Sequence, residues 1–165
     1  MSATIPDLWP DDIQVDVLTP LMILRNQAGL LYSKTQGTLL AQVMTTSTEE
    51  WVQYQLDLIA PLLERYRASL LTARHQPGEA YPVTVTSQAF VPKPGPLGAL
   101  ARSPFGPPLD QRVAATQREF IDLVREVLQS PTTRSRIQSL IARGNETRSN
   151  EPPQEIPTVD PGEKK

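Results

Sequence analysis

The segment Trp51-Val52-Gln53-Tyr54-Gln55-Leu56-Asp57-Leu58-Ile59-Ala60 alternates apolar and polar side chains over its whole length. Val52, Tyr54, Leu56, Leu58 and Ala60 share one face, while Gln53, Gln55 and Asp57 share the other. A period of two with the polarities segregated demands a β-strand with one buried and one wet face. Leu39 to Thr45 precedes it as a second extended run, and Thr46–Glu50 joins the two. The junction lacks Asn-Gly, so a longer, mobile hairpin loop is expected. Both faces of 39–45 are fairly apolar, which predicts that this strand is the more central of the pair.

Elements on either side read as helices. Thr19-Pro20 supplies an N-cap hydroxyl and a proline at the first helical position. Leu21, Leu24, Ala28 and Leu31 follow at helical spacing, and Met22, Ile23 and Leu30 widen the stripe, so a well-buried helix is expected. Gly29 lies inside it, explained by a close crossing or by simple tolerance, and Gly37 stands where a C′ glycine belongs. Pro61, followed by Leu62, Leu63, Tyr66, Leu70 and Leu71, predicts a second helix ending near His75. Tyr81–Phe90 alternates as a third strand, with Pro82 suggesting a sheet edge.

Proline is enriched, at 17 residues, while apolar residues make up 39% of the 165. That combination predicts a compact part with non-globular segments attached. Residues 1–12 read as a flexible acidic arm, 13–90 as an α+β core domain and 91–109 as a Pro/Gly-rich linker. Residues 110–144 read as a C-terminal helical hairpin. Its first helix, capped by Asp110, carries Val113, Gln117, Phe120, Val124 and Val127. Its second starts at Ser130-Pro131, turns Ile137, Leu140 and Ile141 inward, and ends at Gly144. Residues 145–165 read as a disordered tail. The fold expected is α+β: a small three-stranded antiparallel sheet, in the order α-β-β-α-β, covered by helices. The hairpin either folds back on this sheet, which is favoured, or completes a partner's surface.

The chemistry is sparse. Cysteine is absent and His75 is the one histidine, which disfavours a His/Cys metal site and excludes a Cys–His pair. A Ser-His-acid triad would have to use His75, whose expected role is solvated at a helix C-terminus. Asp11/Asp12, Glu49/Glu50 and Asp57 with Glu64 are the carboxylate pairs available, and solvated charges explain them best. No phosphate loop, GxGxxG or GxSxG occurs. No catalytic residue, cofactor or metal is expected, and an enzyme ranks third among the functions considered.

The strongest signal for a ligand is basic. Residues 102–148 hold eight arginines against five acids, although the whole chain carries a net charge of −2. Arg134, Arg136, Arg143 and Arg148 are candidate phosphate contacts, making a nucleic-acid-binding accessory the alternative function. The leading expectation is a non-catalytic protein–protein interaction or accessory subunit of a larger, bacterial assembly. Its partner is another protein or a second copy, with Trp51, Phe105 and Phe120 as candidate contacts. Met1–Asp7 lacks the basic and apolar regions of a signal peptide, and no apolar run approaches membrane-spanning length, so a soluble cytoplasmic protein is expected, with no membrane partner.

Overall fold

The computed structural model describes residues 16–91 and 110–149. Helix α1 (Pro20–Lys34) is followed by strands β1 (Leu40–Ser47), β2 (Val52–Ala60), β3 (Tyr66–His75) and β4 (Val83–Thr86). A 3-10 turn at Gln88–Phe90, strand β5 (Gln111–Ala114) and helices α2 (Gln117–Gln129) and α3 (Pro131–Ser149) complete it. The fold is α+β. The five strands form one antiparallel sheet whose spatial order, β1-β2-β3-β4-β5, is also their chain order.

The three helices contribute to one core. Ile23 and Leu24 of α1, Phe120, Val124 and Val127 of α2 and Leu140 of α3 join Leu56, Leu58, Leu71, Ala73, Val83 and Val85 from the sheet. Phe120 and Leu24 are fully buried. Residues of the expected C-terminal hairpin therefore fill the core over the sheet. Burying a side chain of this size contributes about 1.5–3 kcal/mol.

Three elements differ from the sequence expectations. Residues 66–75 are strand β3, not a helix: β2 and β3 pair from Val52↔His75 to Ala60↔Tyr66. The reversal is the loop Pro61–Arg65 between the paired Ala60 and Tyr66, built from two consecutive turns: Leu63 N–H donates to the Ala60 carbonyl at 3.1 Å and Tyr66 N–H to the Leu63 carbonyl at 2.8 Å. The central residues of the second turn, Glu64 and Arg65, have φ of 51° and 58°. Two positive φ values within an i→i+3 turn give it type I′ character. The apolar pattern of 62–71, taken as helical, is divided between this loop and a strand carrying a bulge. The register shifts between Leu56 and Asp57, and Leu70 and Leu71 are both buried.

The relative placement of the strands is also revised. β1 is an edge strand, not a central one, and β4 lies between β3 and β5, not at an edge. Pro82 stands just before β4, so it costs no ladder bond. The loop after β1 is short: Thr48 to Trp51, closed by the Thr48 N–H on the Trp51 carbonyl at 2.8 Å.

The expected helix from Asp110 is strand β5 followed by α2. The cap is Thr116, whose hydroxyl accepts from Glu119 N–H at 3.3 Å, while Glu119 accepts from Ala115 N–H at 2.6 Å. This is the reciprocal logic of a capping box. Val113 accordingly leaves the helical stripe and stands 66% exposed on β5.

The expected starts of α1 and α3 are present. The Thr19 hydroxyl accepts from Met22 N–H at 3.3 Å, and the Ser130 hydroxyl from Thr133 N–H at 3.1 Å. α1 is less buried than expected, since Met22 and Leu30 are exposed. Its end is a Schellman motif: Gly37 N–H donates to the Tyr32 carbonyl and Gln36 N–H to the Ser33 carbonyl. The C′ residue is thus Gln36, at φ 51°, with Gly37 one place further on. α3 continues through Gly144, where a Cβ would lie 3.3 Å from the Thr38 methyl and 3.7 Å from Leu62. That glycine marks a close approach, not a helix end. Gly29 has nothing within 4 Å of its would-be Cβ, so no close crossing accounts for it.

Candidate functional site

The helices cover one sheet face and leave the other open. On the open face stand Gln42 and Met44 of β1, Gln53, Gln55 and Asp57 of β2, Arg67 and Arg74 of β3, and Thr84 and Thr86 of β4, as strand parity dictates. Asp57 departs from its expected solvation: it is fully buried there. Gln55 donates to its Oδ1 at 2.8 Å, and Arg67, which also donates to Gln42 at 3.1 Å, lies 3.8 Å from Oδ2. A bulge interrupts the β2–β3 ladder beside Asp57. Glu64 is not among its polar partners; it sits in the β2–β3 turn.

Trp51 is half-buried at the rim of the open face. The Arg74 guanidinium carbon lies 4.6 Å from its ring centroid, in cation–π range. Arg74 pairs with Gln53, so the contact is a diagonal one across the β2–β3 ladder. Phe120, a candidate partner contact, is fully buried in the core, edge-on to Tyr81 at 6.3 Å, and is not offered at the surface. Phe105 lies outside the described residues, as do Asp11 and Asp12.

His75 ends a strand, not a helix. Its Nδ1 is 2.8 Å from the Gln76 carbonyl and 2.7 Å from that of Glu79. Carbonyls only accept, so Nδ1 carries the hydrogen. Nε2 faces the Tyr54 hydroxyl at 3.3 Å, and the two rings lie 5.5 Å apart. Burial pushes the Tyr54 phenol above its usual range, partly offset by the Arg25 charge. Among the described residues the imidazole hydrogen-bonds to no serine and no carboxylate, and no group of three or more acids and histidines is placed to hold a metal.

The four arginines are not equivalent. Arg136 donates to the Ser69 carbonyl and to Gln88 Oε1, each at 3.3 Å, and so ties α3 to β3 and the 3-10 turn. Arg134, Arg143 and Arg148 are exposed. A shallow groove is lined by Tyr66, Thr132, Ser135, Arg136, Ser139 and Arg143; of the three exposed arginines, Arg143 is the one that lines it.

The two sheet edges contrast. β5 is four residues long and includes Arg112, both features that discourage pairing. β1 is eight residues, Leu-Ala-Gln-Val-Met-Thr-Thr-Ser, with no charge and no proline. Its inner side pairs with β2 along its full length. Among the described residues no strand pairs with its outer side. Leu40 and Met44 are exposed on it. Sequence reasoning missed this edge because two apolar faces suggested a strand with neighbours on both sides.

No family model, curated protein or solved structure matches the chain. No helix among the described residues is long and apolar enough to cross a membrane.

Proposed function

We propose that the protein is a non-catalytic interaction module, an accessory subunit that offers β1 to a strand of another protein chain. The observation that carries this is the outer edge of β1: eight uncharged, proline-free residues whose outward N–H and C=O groups meet no strand among the described residues. Such groups are satisfied by an added strand, which supplies main-chain bonds along its whole length. The exposed Leu40 and Met44 give that strand apolar contacts on the open face.

The test compares partner capture by the full chain with that of Val43→Pro and Met44→Pro. In an edge strand, neighbouring N–H groups point alternately inward and outward. One of the two prolines therefore removes an outward donor and leaves the β1–β2 ladder intact; hydrogen exchange identifies which. That variant is expected to stay folded and to lose the partner, or its own self-association. Retention of every partner by that variant would exclude strand addition at β1.

A second reading, contact with nucleic-acid phosphates, is favoured by Arg143 in a hydroxyl-lined groove, with Arg134 and Arg148 exposed elsewhere on the same helix. Three phosphate contacts imply that affinity falls by about 2.7 decades per tenfold rise in salt. Replacing these three by Ala should abolish binding, with Arg136 left in place because it holds α3. No retention of DNA or RNA at low salt would exclude it.

A further inference from the structure

α1 touches α2, and a groove of about 460 Å³ opens between α1 and the α2–α3 pair over a floor of Ala41, Leu56 and Leu70 of the sheet. Ile23 and Leu31 form one wall, and Val124, Leu128 and Ile137 the other. The volume is within the usual range for a small-molecule site. The charged residues lining it are Lys34 at the end of α1 and Arg125 on α2; no carboxylate lines it. Arg125 also pairs with Asp122 on the outer surface, a solvated contact that another anion can replace.

We propose that this groove binds an anionic amphiphile with a single unbranched apolar chain, of the fatty-acid class. The chain lies on the floor and the head group meets Lys34 and Arg125. The lining argues for this occupant: largely apolar side chains with two cations and no acid. A peptide brings N–H and C=O groups that need partners. The walls are helices, and β2 and β3 on the floor each lie between two strands, so their backbone groups already have partners. An alkyl chain carries no such groups, and two cations without an acid select a negative head.

The test titrates the full chain with decanoate and with decyltrimethylammonium, both below their micelle concentrations, by calorimetry and native mass spectrometry. One decanoate per chain is expected, bound at least about tenfold more tightly than the cationic amphiphile. Gln27→Trp and Leu30→Trp, both on the α1 wall, place an indole in the groove. Whichever variant keeps the native circular dichroism should bind decanoate at least about tenfold more weakly. The double variant Lys34→Glu/Arg125→Glu should lose the preference for the anion. No saturable uptake by the native chain, equal uptake of both head groups, or unchanged uptake by a folded tryptophan variant would each overturn the proposal. So would self-association that the tryptophan variants abolish in a chain that takes up no decanoate, which would assign the groove to a second copy.

Discussion

Arg67 Nη1 lies 3.8 Å from Asp57 Oδ2, the one buried side-chain oxygen without a hydrogen-bond partner among the described residues. The carboxylate is inaccessible while half of the arginine remains in water. The pair is thus unequal: Asp57 loses its hydration entirely and recovers one hydrogen bond, from Gln55, and one nearby charge. Removing the cation leaves a buried charge poorly compensated, whereas removing both charges does not. Arg67→Met should therefore cost about 1–2 kcal/mol in urea unfolding, the lower end reflecting solvent screening. Asp57→Asn in that background should recover part of the loss, and a non-zero coupling in the double-mutant cycle is the check.

The Glu64-Arg65 turn uses side-chain types poorly suited to positive φ. Asn and Gly adopt that conformation at least cost. Glu64→Asn/Arg65→Gly should stabilise the chain by about 1–2 kcal/mol, read as a raised urea midpoint at unchanged slope. Glu64→Val, β-branched at the same position, should lower it.

Two helical glycines should respond oppositely. Gly29 faces open space, so Gly29→Ala gains helix propensity, about 0.5–1 kcal/mol, with no contact to offset it. Gly144 lies against Thr38 and Leu62, so Gly144→Val should cost about 1–3 kcal/mol by overpacking. Thermal unfolding of the two variants in parallel tests the contrast.

Alkaline stability depends on Tyr54 and Tyr81. Burial raises both phenols above 10, and Tyr81 also donates to the Leu18 carbonyl at 2.8 Å. The folded state therefore holds these protons more tightly than the unfolded one. Their contribution is complete below pH 10 and is lost as pH rises through the raised values. Unfolding free energy should fall above pH 10, and Tyr54→Phe/Tyr81→Phe should flatten that fall.

The β1–β2 hairpin and the starts of α1 and α3 were legible because each rests on a local rule: alternation, or a hydroxyl followed by proline. Strand β3 was not, because Pro61 and the spacing of Leu62, Leu63, Tyr66 and Leu70 mimic a helix once a type I′ turn without Asn-Gly and a bulge shift the parity. The start of α2 is written locally as well: Thr116-Gln117-Arg118-Glu119 is a capping-box sequence. Asp57 lies on the face that alternation predicts, but its neighbours there, Arg67 beside Oδ2 and Gln42 opposite it in register, come from adjacent strands that parity alone does not locate. The edge position of β1 among the described strands follows from strand order, a long-range property that the local alternation of residues 39–45 does not encode.

Strand order that matches chain order has a consequence for synthesis on the ribosome. Each strand can pair with its predecessor as it emerges, so the sheet grows without waiting for distant segments. Its apolar face cannot be closed until residues 117–149 appear with Phe120, Val124, Val127 and Leu140. Among the described residues, a nascent chain paused before α2 therefore presents a sheet whose apolar side has only α1 over it, together with the outer edge of β1. That is the interval in which a chaperone, or an early ligand, has most to protect.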